Sequence, residues 1–127
     1  MDTSADKTDE IHLLVQATLR QDEQVFADFA TQLCQIVRSD EPSVLTYEWW
    51  VSPPGSEESL CWVEERYADP QTFIDHMKFL RESGQIRQLV KIVRVNQVLV
   101  LEGDSELVNK ELAPLMPLAL KSVATIS

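Results

Sequence analysis

The sequence predicts an α+β fold of the ferredoxin-like split βαβ kind, with helices on one face of a sheet and elements in the order β-α-β-β-α-β plus a terminal helix. Three observations predict it. Segments 43–52 and 60–68 are rich in aromatic and β-branched residues, as strands are. Segments 22–39 and 70–93 space their apolar residues as helices do, and short turn-forming runs separate the elements.

Residues 1–9 read as a disordered tail. "IHLLVQATLR" alternates well enough for a first strand, β1 (11–20). Val25, Phe26, Phe29, Ala30, Leu33, Ile36 and Val37 then recur at helical spacing, acids lie early and Pro42 lies just past the end, so helix α1 covers 22–39. "SVLTYEWWVS" is strand β2 (43–52), "PPGSEES" a solvated turn, and "LCWVEERYA" strand β3 (60–68), which closes a hairpin. Asp69 caps the next helix and Pro70 occupies its first turn, where a missing N–H costs nothing. Phe73, Met77 and Leu80 stripe that helix, Ser83-Gly84 interrupts it, and Ile86, Leu89, Val90 and Val93 share a face of a second helical piece. "RVNQVLVLEG" is strand β4 (94–103), and "DSELVNKELAPLMP" a short capped helix. The folded domain is expected over 10–117, with 118–127 a C-terminal tail.

Both faces of the hairpin carry bulk. On β2, Leu45, Tyr47, Trp49 and Val51 alternate with Val44, Thr46, Glu48 and Trp50; on β3, Cys61, Val63, Glu65 and Tyr67 alternate with Leu60, Trp62, Glu64 and Arg66. Strands with large apolar groups on both faces are usually covered on both. Two such sheets packed face to face meet that need, so a homodimer is expected, closing a dimeric α+β barrel.

At 127 residues the chain has the length of one domain, and 44% hydrophobic with 25% charged residues is an ordinary globular balance. Its net charge of −10 repels phosphate backbones and anionic lipid surfaces, which argues against nucleic acid or a membrane as partner. The acidic start MDTSADKTDE is the opposite of a signal peptide, and a cytoplasmic setting is expected. Cys34 and Cys61 lack metal-ligand spacing and read as small core residues. Two histidines, His12 and His76, make a multi-histidine metal centre hard to build, and no nucleotide-binding or P-loop motif is present. No metal and no cofactor is expected.

The remaining candidates for chemistry are His76 and Glu65, with Tyr47, Trp49, Trp62, Tyr67 and Phe73 as substrate-binding groups. Parity along β3 puts Glu65 and Tyr67 on one face. Phe73, His76, Met77 and Leu80 fall at i, i+3, i+4 and i+7, so His76 shares the stripe turned towards the sheet. A histidine and a glutamate facing across a helix–sheet cavity can shuttle a proton near neutral pH. Equally, His76 can simply hydrogen-bond a carboxylate or carbonyl at the cavity rim. Trp49, Trp50 and Trp62 fit either a pocket for a flat aromatic ligand or packing in core and interface.

"EPSVLTYEWWVS" followed by "VEERYADPQTFIDHM" resembles the antibiotic biosynthesis monooxygenase family, in the spacing of Glu65, Tyr67, Asp69, Phe73 and His76; the ending "LEGDSELVNKELAPLMP" is also similar. The resemblance spans about residues 10 to 117. It implies ferredoxin-like domains pairing their sheets into a shared barrel. For some members it implies oxidation of quinols or polycyclic anthrones by dioxygen without metal or flavin. There, the protein removes a phenolic or activated C–H proton, and the resulting anion reacts with oxygen. In that reading His76 is the base or proton shuttle, Glu65 orients it, and the aromatics hold the substrate plane. A non-catalytic small-ligand binding or stress-response protein on the same fold is the alternative. Haem-degrading relatives are expected to use an asparagine on the first strand; here asparagine occurs only at 96 and 109, which disfavours haem.

Overall fold

The structure, a computed structural model, describes residues 9–126, so the expected N-terminal tail falls outside the described residues but for Asp9. The elements are β1 (Ile11–Leu19), α1 (Glu23–Asp40), β2 (Val44–Val51), β3 (Leu60–Tyr67), α2 (Pro70–Glu82), α3 (Gln85–Ile92), β4 (Val93–Glu102), α4 (Glu106–Leu112), a 3-10 turn at Ala113–Leu115 and β5 (Leu118–Ala119). They form one sheet in the order β2-β3-β1-β4-β5. The first four strands pair antiparallel and β5 joins β4 in parallel. This is the α+β, ferredoxin-like arrangement the sequence predicts. The segment expected as a C-terminal tail opens with β5, and Leu120 N–H donates to Val100 O at 2.9 Å.

Side-chain caps start the helices. The Asp22 carboxylate accepts from Gln24 N–H, Asp69 from Thr72 N–H and Ser105 from Val108 N–H, each satisfying a donor with no partner inside its helix. Between α2 and α3, Ser83 N–H donates to Phe79 O and Gly84 turns left-handed at φ +82°, a backbone state that glycine adopts without strain.

Helices cover one sheet face. Ile11, Leu13, Tyr67, Phe73, Val98, Val100, Val108 and Leu112 form the main core beneath α2 and α4. Ala17, Phe26, Cys61, Ile92 and Val93 pack beneath α1 and α3, and Leu33 and Val37 meet Leu80 where α1 and α2 touch. Burying Phe73 completely contributes roughly 1.5–3 kcal/mol.

The strict alternation expected along β2 is broken. Its register with β3 shifts between Val44 and Thr46, leaving Leu45 52% exposed and returning Val44 to the core. A bulge of this kind inserts one unpaired residue, so Val44 and Tyr47 face the helices together. β3 keeps its alternation: Cys61, Val63 and Tyr67 are buried under helices, and Trp62, Glu64 and Arg66 take the opposite, open face. On that face Trp62 pairs with Trp50 and Gln16, and Trp50 is 51% exposed.

Candidate functional site

A cavity of about 350 Å³ lies between the sheet and α2, α3 and the C-terminal turn. Its walls are mainly aliphatic and aromatic, among them Leu13, Val15, Tyr47, Trp49, Phe73 and Leu89, and Glu65 is the carboxyl set among them on the sheet side. Arg81 and Glu111, ion-paired between α2 and α4, stand at its edge. A larger concavity of about 510 Å³ runs between α1 and the edge strand β2. Its rim of Glu23, Gln35, Arg38 and Glu48 is exposed, so it offers charge in water and not a dry chamber.

Glu65 is the unusual group. Burial pushes its carboxyl above the ordinary glutamate range, opposed by the nearby His76 and by the hydrogen bond from the Tyr67 hydroxyl to Oε1. Residues i and i+2 of a strand share a face, which is why Tyr67 reaches Glu65. The Tyr67 and Tyr47 hydroxyls are themselves pushed well above the usual tyrosine value, chiefly by burial and then by the charge of Glu65, so both remain donors. A desolvated carboxyl on an apolar wall, with a fixed donor beside it, is suited to taking and returning a proton.

His76 lies behind this wall and not on it. Its ring is fully buried, 5.0 Å from Tyr47 and 5.5 Å from Tyr67 between centroids. Its direct hydrogen-bond partner is not Glu65: Nδ1 stands 2.9 Å from Glu41 Oε1. Glu41, the residue that ends α1, is absent from the sequence-derived candidates. The one signal for it was an acid directly before Pro42, where the chain must leave the helix.

The other expected residues divide. Tyr47, Trp49, Phe73 and Glu65 share the cavity, and Trp49 packs against Phe26, Phe29 and Tyr47. Tyr67 stacks edge-on with Phe73 one layer deeper. Trp62, expected to bind substrate, instead faces the open side of the sheet, because strand parity separates it from Val63 and Glu65. His12 is on that side as well, bonded to Glu64 at 2.9 Å and to Arg66 at 3.1 Å. Among the described residues, three buried polar atoms have no protein partner: Glu41 Oε2, His76 Nε2 and Trp49 Nε1. The last belongs to a cavity-lining side chain.

No family model matches the chain, and no curated protein does. Solved structures do. MupZ from Pseudomonas fluorescens is 18% identical with a TM-score of 0.66, the match covering 94% of each chain. A dimeric ferredoxin-like protein from an uncultured marine organism is 13% identical with a TM-score of 0.58, covering 73% of this chain and 95% of its own. A protein from Bacteroides thetaiotaomicron, designated a candidate antibiotic biosynthesis monooxygenase, is 13% identical with a TM-score of 0.52, covering 77% of this chain and 90% of its own. At such identities the likeness establishes the ferredoxin-like fold.

Proposed function

We propose that this chain is a cofactor-independent monooxygenase acting on a small quinol-like or polycyclic aromatic substrate, with Glu65 as the base. The observation that carries the reading is the Glu65 carboxyl on the wall of the apolar cavity, held by the Tyr67 hydroxyl. A volume of about 350 Å³ falls near the small end of ligand pockets, about 300–1,000 Å³, and suits a compact fused-ring molecule. Tyr47, Trp49 and Phe73 supply aromatic walls. The resemblance of "VEERYADPQTFIDHM" and the candidate monooxygenase among the structural relatives support the same reaction class.

For an anthrone-like substrate the steps balance as follows. The Glu65 carboxylate takes one proton from the activated methylene. The carbanion transfers its electrons to dioxygen and a C–O bond forms. The resulting peroxide recovers that proton from Glu65. Loss of the second C–H proton to Glu65, with O–O cleavage, gives the carbonyl, and the departing hydroxide takes the proton as water. The four electrons that reduce dioxygen come from the substrate. The cavity's apolar walls keep bulk water from protonating the carbanion.

We also assign the protein to a homodimer closed through the open sheet face. Supporting this are Trp50 at 51% exposure and Leu118 at 52%, with Leu14, Trp62 and Leu99 half-buried on or beside that face. A dimeric relative on the same fold points the same way. A cytoplasmic setting accords with two free thiols, Cys34 and Cys61.

The test is oxygen uptake with a panel of hydroquinones, naphthoquinols and anthrones, run beside equilibrium binding of the same compounds. Uptake coupled to product formation supports the oxygenase. Tight binding with no oxygen consumed makes the chain a ligand-binding protein, and a Soret shift on haemin addition redirects it to haem.

A further inference from the structure

The cavity has charged groups at two depths. Glu65 lies within, on β3, bonded to the fully buried Tyr67. Further out stand Arg81, 48% exposed, and Glu111, 19% exposed, ion-paired between the last turn of α2 and α4. Helix α2 sets the separation. Phe73, near its start, stacks edge-on with Tyr67, and Arg81 follows two turns later, about 12 Å along the axis at about 1.5 Å per residue. Between the two depths the described lining is uncharged, so a bound molecule meets charge at its inner and outer tips alone.

Arg81 is the one cation among the described residues that line the cavity, in a chain of net charge −10. That excess of acid disfavours an anionic ligand unless a fixed cation receives it. The pair with Glu111 engages Nη1. A guanidinium carries five N–H donors in a planar fork, so Nη2 and Nε remain to hold a second carboxylate. An ion pair this exposed adds little to the hold of α2 on α4.

We propose that Arg81 is a specificity-determining residue: it binds a carboxylate substituent at one end of the aromatic substrate, while the reacting carbon lies against Glu65. The substrate class narrows to fused-ring aromatics that bear an acid group. This subsite rests on the reading that substrate occupies the cavity with Glu65 as base. Glu111 tunes it, since its negative charge opposes a second carboxylate on the shared guanidinium.

The test is equilibrium binding of anthraquinone-2-carboxylate beside anthraquinone-2-carboxamide, which keeps the shape and loses the charge. Both carry the oxidised ring system that an anthrone would yield, so neither is turned over. Exposed ion pairs change affinity by up to about 5-fold, and the carboxylate is expected to bind wild type tighter by about 3–5-fold. That margin shrinks as salt is added. Arg81→Gln is expected to abolish the preference, Arg81→Lys to keep it and Glu111→Gln to widen it. A residue that only ties α2 to α4 would change the affinity of both probes alike in every variant. Equal affinity of wild type for the two probes, a preference that survives Arg81→Gln, or no binding of the carboxylate overturns the proposal. None of these measurements needs turnover. A carboxylate preference that depends on Arg81, found without oxygen uptake, removes the oxygenase reading alone. Oxygen uptake with neutral aromatics and no such preference removes the Arg81 subsite alone.

Discussion

Replacing Glu65 by glutamine separates chemistry from stability, because the two respond in opposite directions. Glutamine is nearly isosteric, and its Oε1 still accepts from the Tyr67 hydroxyl, so the local hydrogen bond survives. What is lost is the ability to take a proton. A positioned base contributes about 10²–10⁴-fold, or about 3–5 kcal/mol of barrier, so kcat in oxygen uptake is expected to fall by that factor. Stability should rise. Burial lifts the Glu65 carboxyl above the ordinary 4.5. As pH climbs past 4.5 the unfolded chain releases this proton while the folded chain still holds it, so folding loses stability until the folded carboxyl has also ionised. Above that point the whole cost is present, at about 1.4 kcal/mol for each unit of displacement. Glu65→Gln carries no such cost. Urea or thermal denaturation is expected to show the variant more stable than wild type at pH 8, with the gap closing towards pH 4. For a chain of this length each kcal/mol corresponds to about 3–5 °C in Tm. A variant that turns over at the wild-type rate refutes Glu65 as base. A stability gap that persists unchanged at pH 4 refutes the buried-carboxyl argument even if activity is lost.

Light scattering should give the wild type twice 14.5 kDa, and Trp62→Glu, which puts a charge beside Glu64 on the open face, should return it to 14.5 kDa; a monomeric wild type rejects the sheet-face dimer. Gly103 has φ +89°, and a Cβ there would stand 2.4 Å from Ile11 Cδ1 and 3.0 Å from Glu10 O, so Gly103→Ala is expected to lose about 1–3 kcal/mol in urea denaturation. Asp69→Ala removes the cap that accepts from both Thr72 N–H and Thr72 Oγ1 and should cost about 1 kcal/mol. Those hydrogen bonds hold the Asp69 carboxyl below its ordinary 3.8, so the cap's pH-dependent contribution is present above that value and lost on acidification below it. The wild-type and Asp69→Ala denaturation curves should therefore converge at low pH.

Much of the fold was legible because each element announced itself locally. Asp69-Pro70 starts α2 at the position the capping argument gives, and Phe73, His76 and Leu80 are buried on the stripe their spacing defines. Strand parity put Glu65 and Tyr67 on one face, and they hydrogen-bond there. What escaped the sequence depends on contacts across the chain. The bulge at Leu45 is set by pairing with β3, not by any turn residue, and it reverses the facing of Val44. Trp62 was grouped with the site by composition, although its own parity sent it to the other face. Glu41 was invisible because its partner His76 is 35 residues away and a carboxylate in a helix–strand loop ordinarily meets only water.

The break at Ser83-Gly84 divides labour in the molecule. The groups proposed to handle protons, Glu65 and Tyr67, are held by β3, Tyr67 inside the main core and Glu65 hydrogen-bonded to it. The cavity's outline is drawn separately by Ile86, Leu89 and Val90 on α3, an eight-residue helix set off by a left-handed glycine at one end and by β4 at the other. Side-chain volume at those three positions can change while the acid–base groups stay where they are. A lineage built on this plan can exchange one substrate for another without reinventing its chemistry, and a short helix is the part it would rewrite.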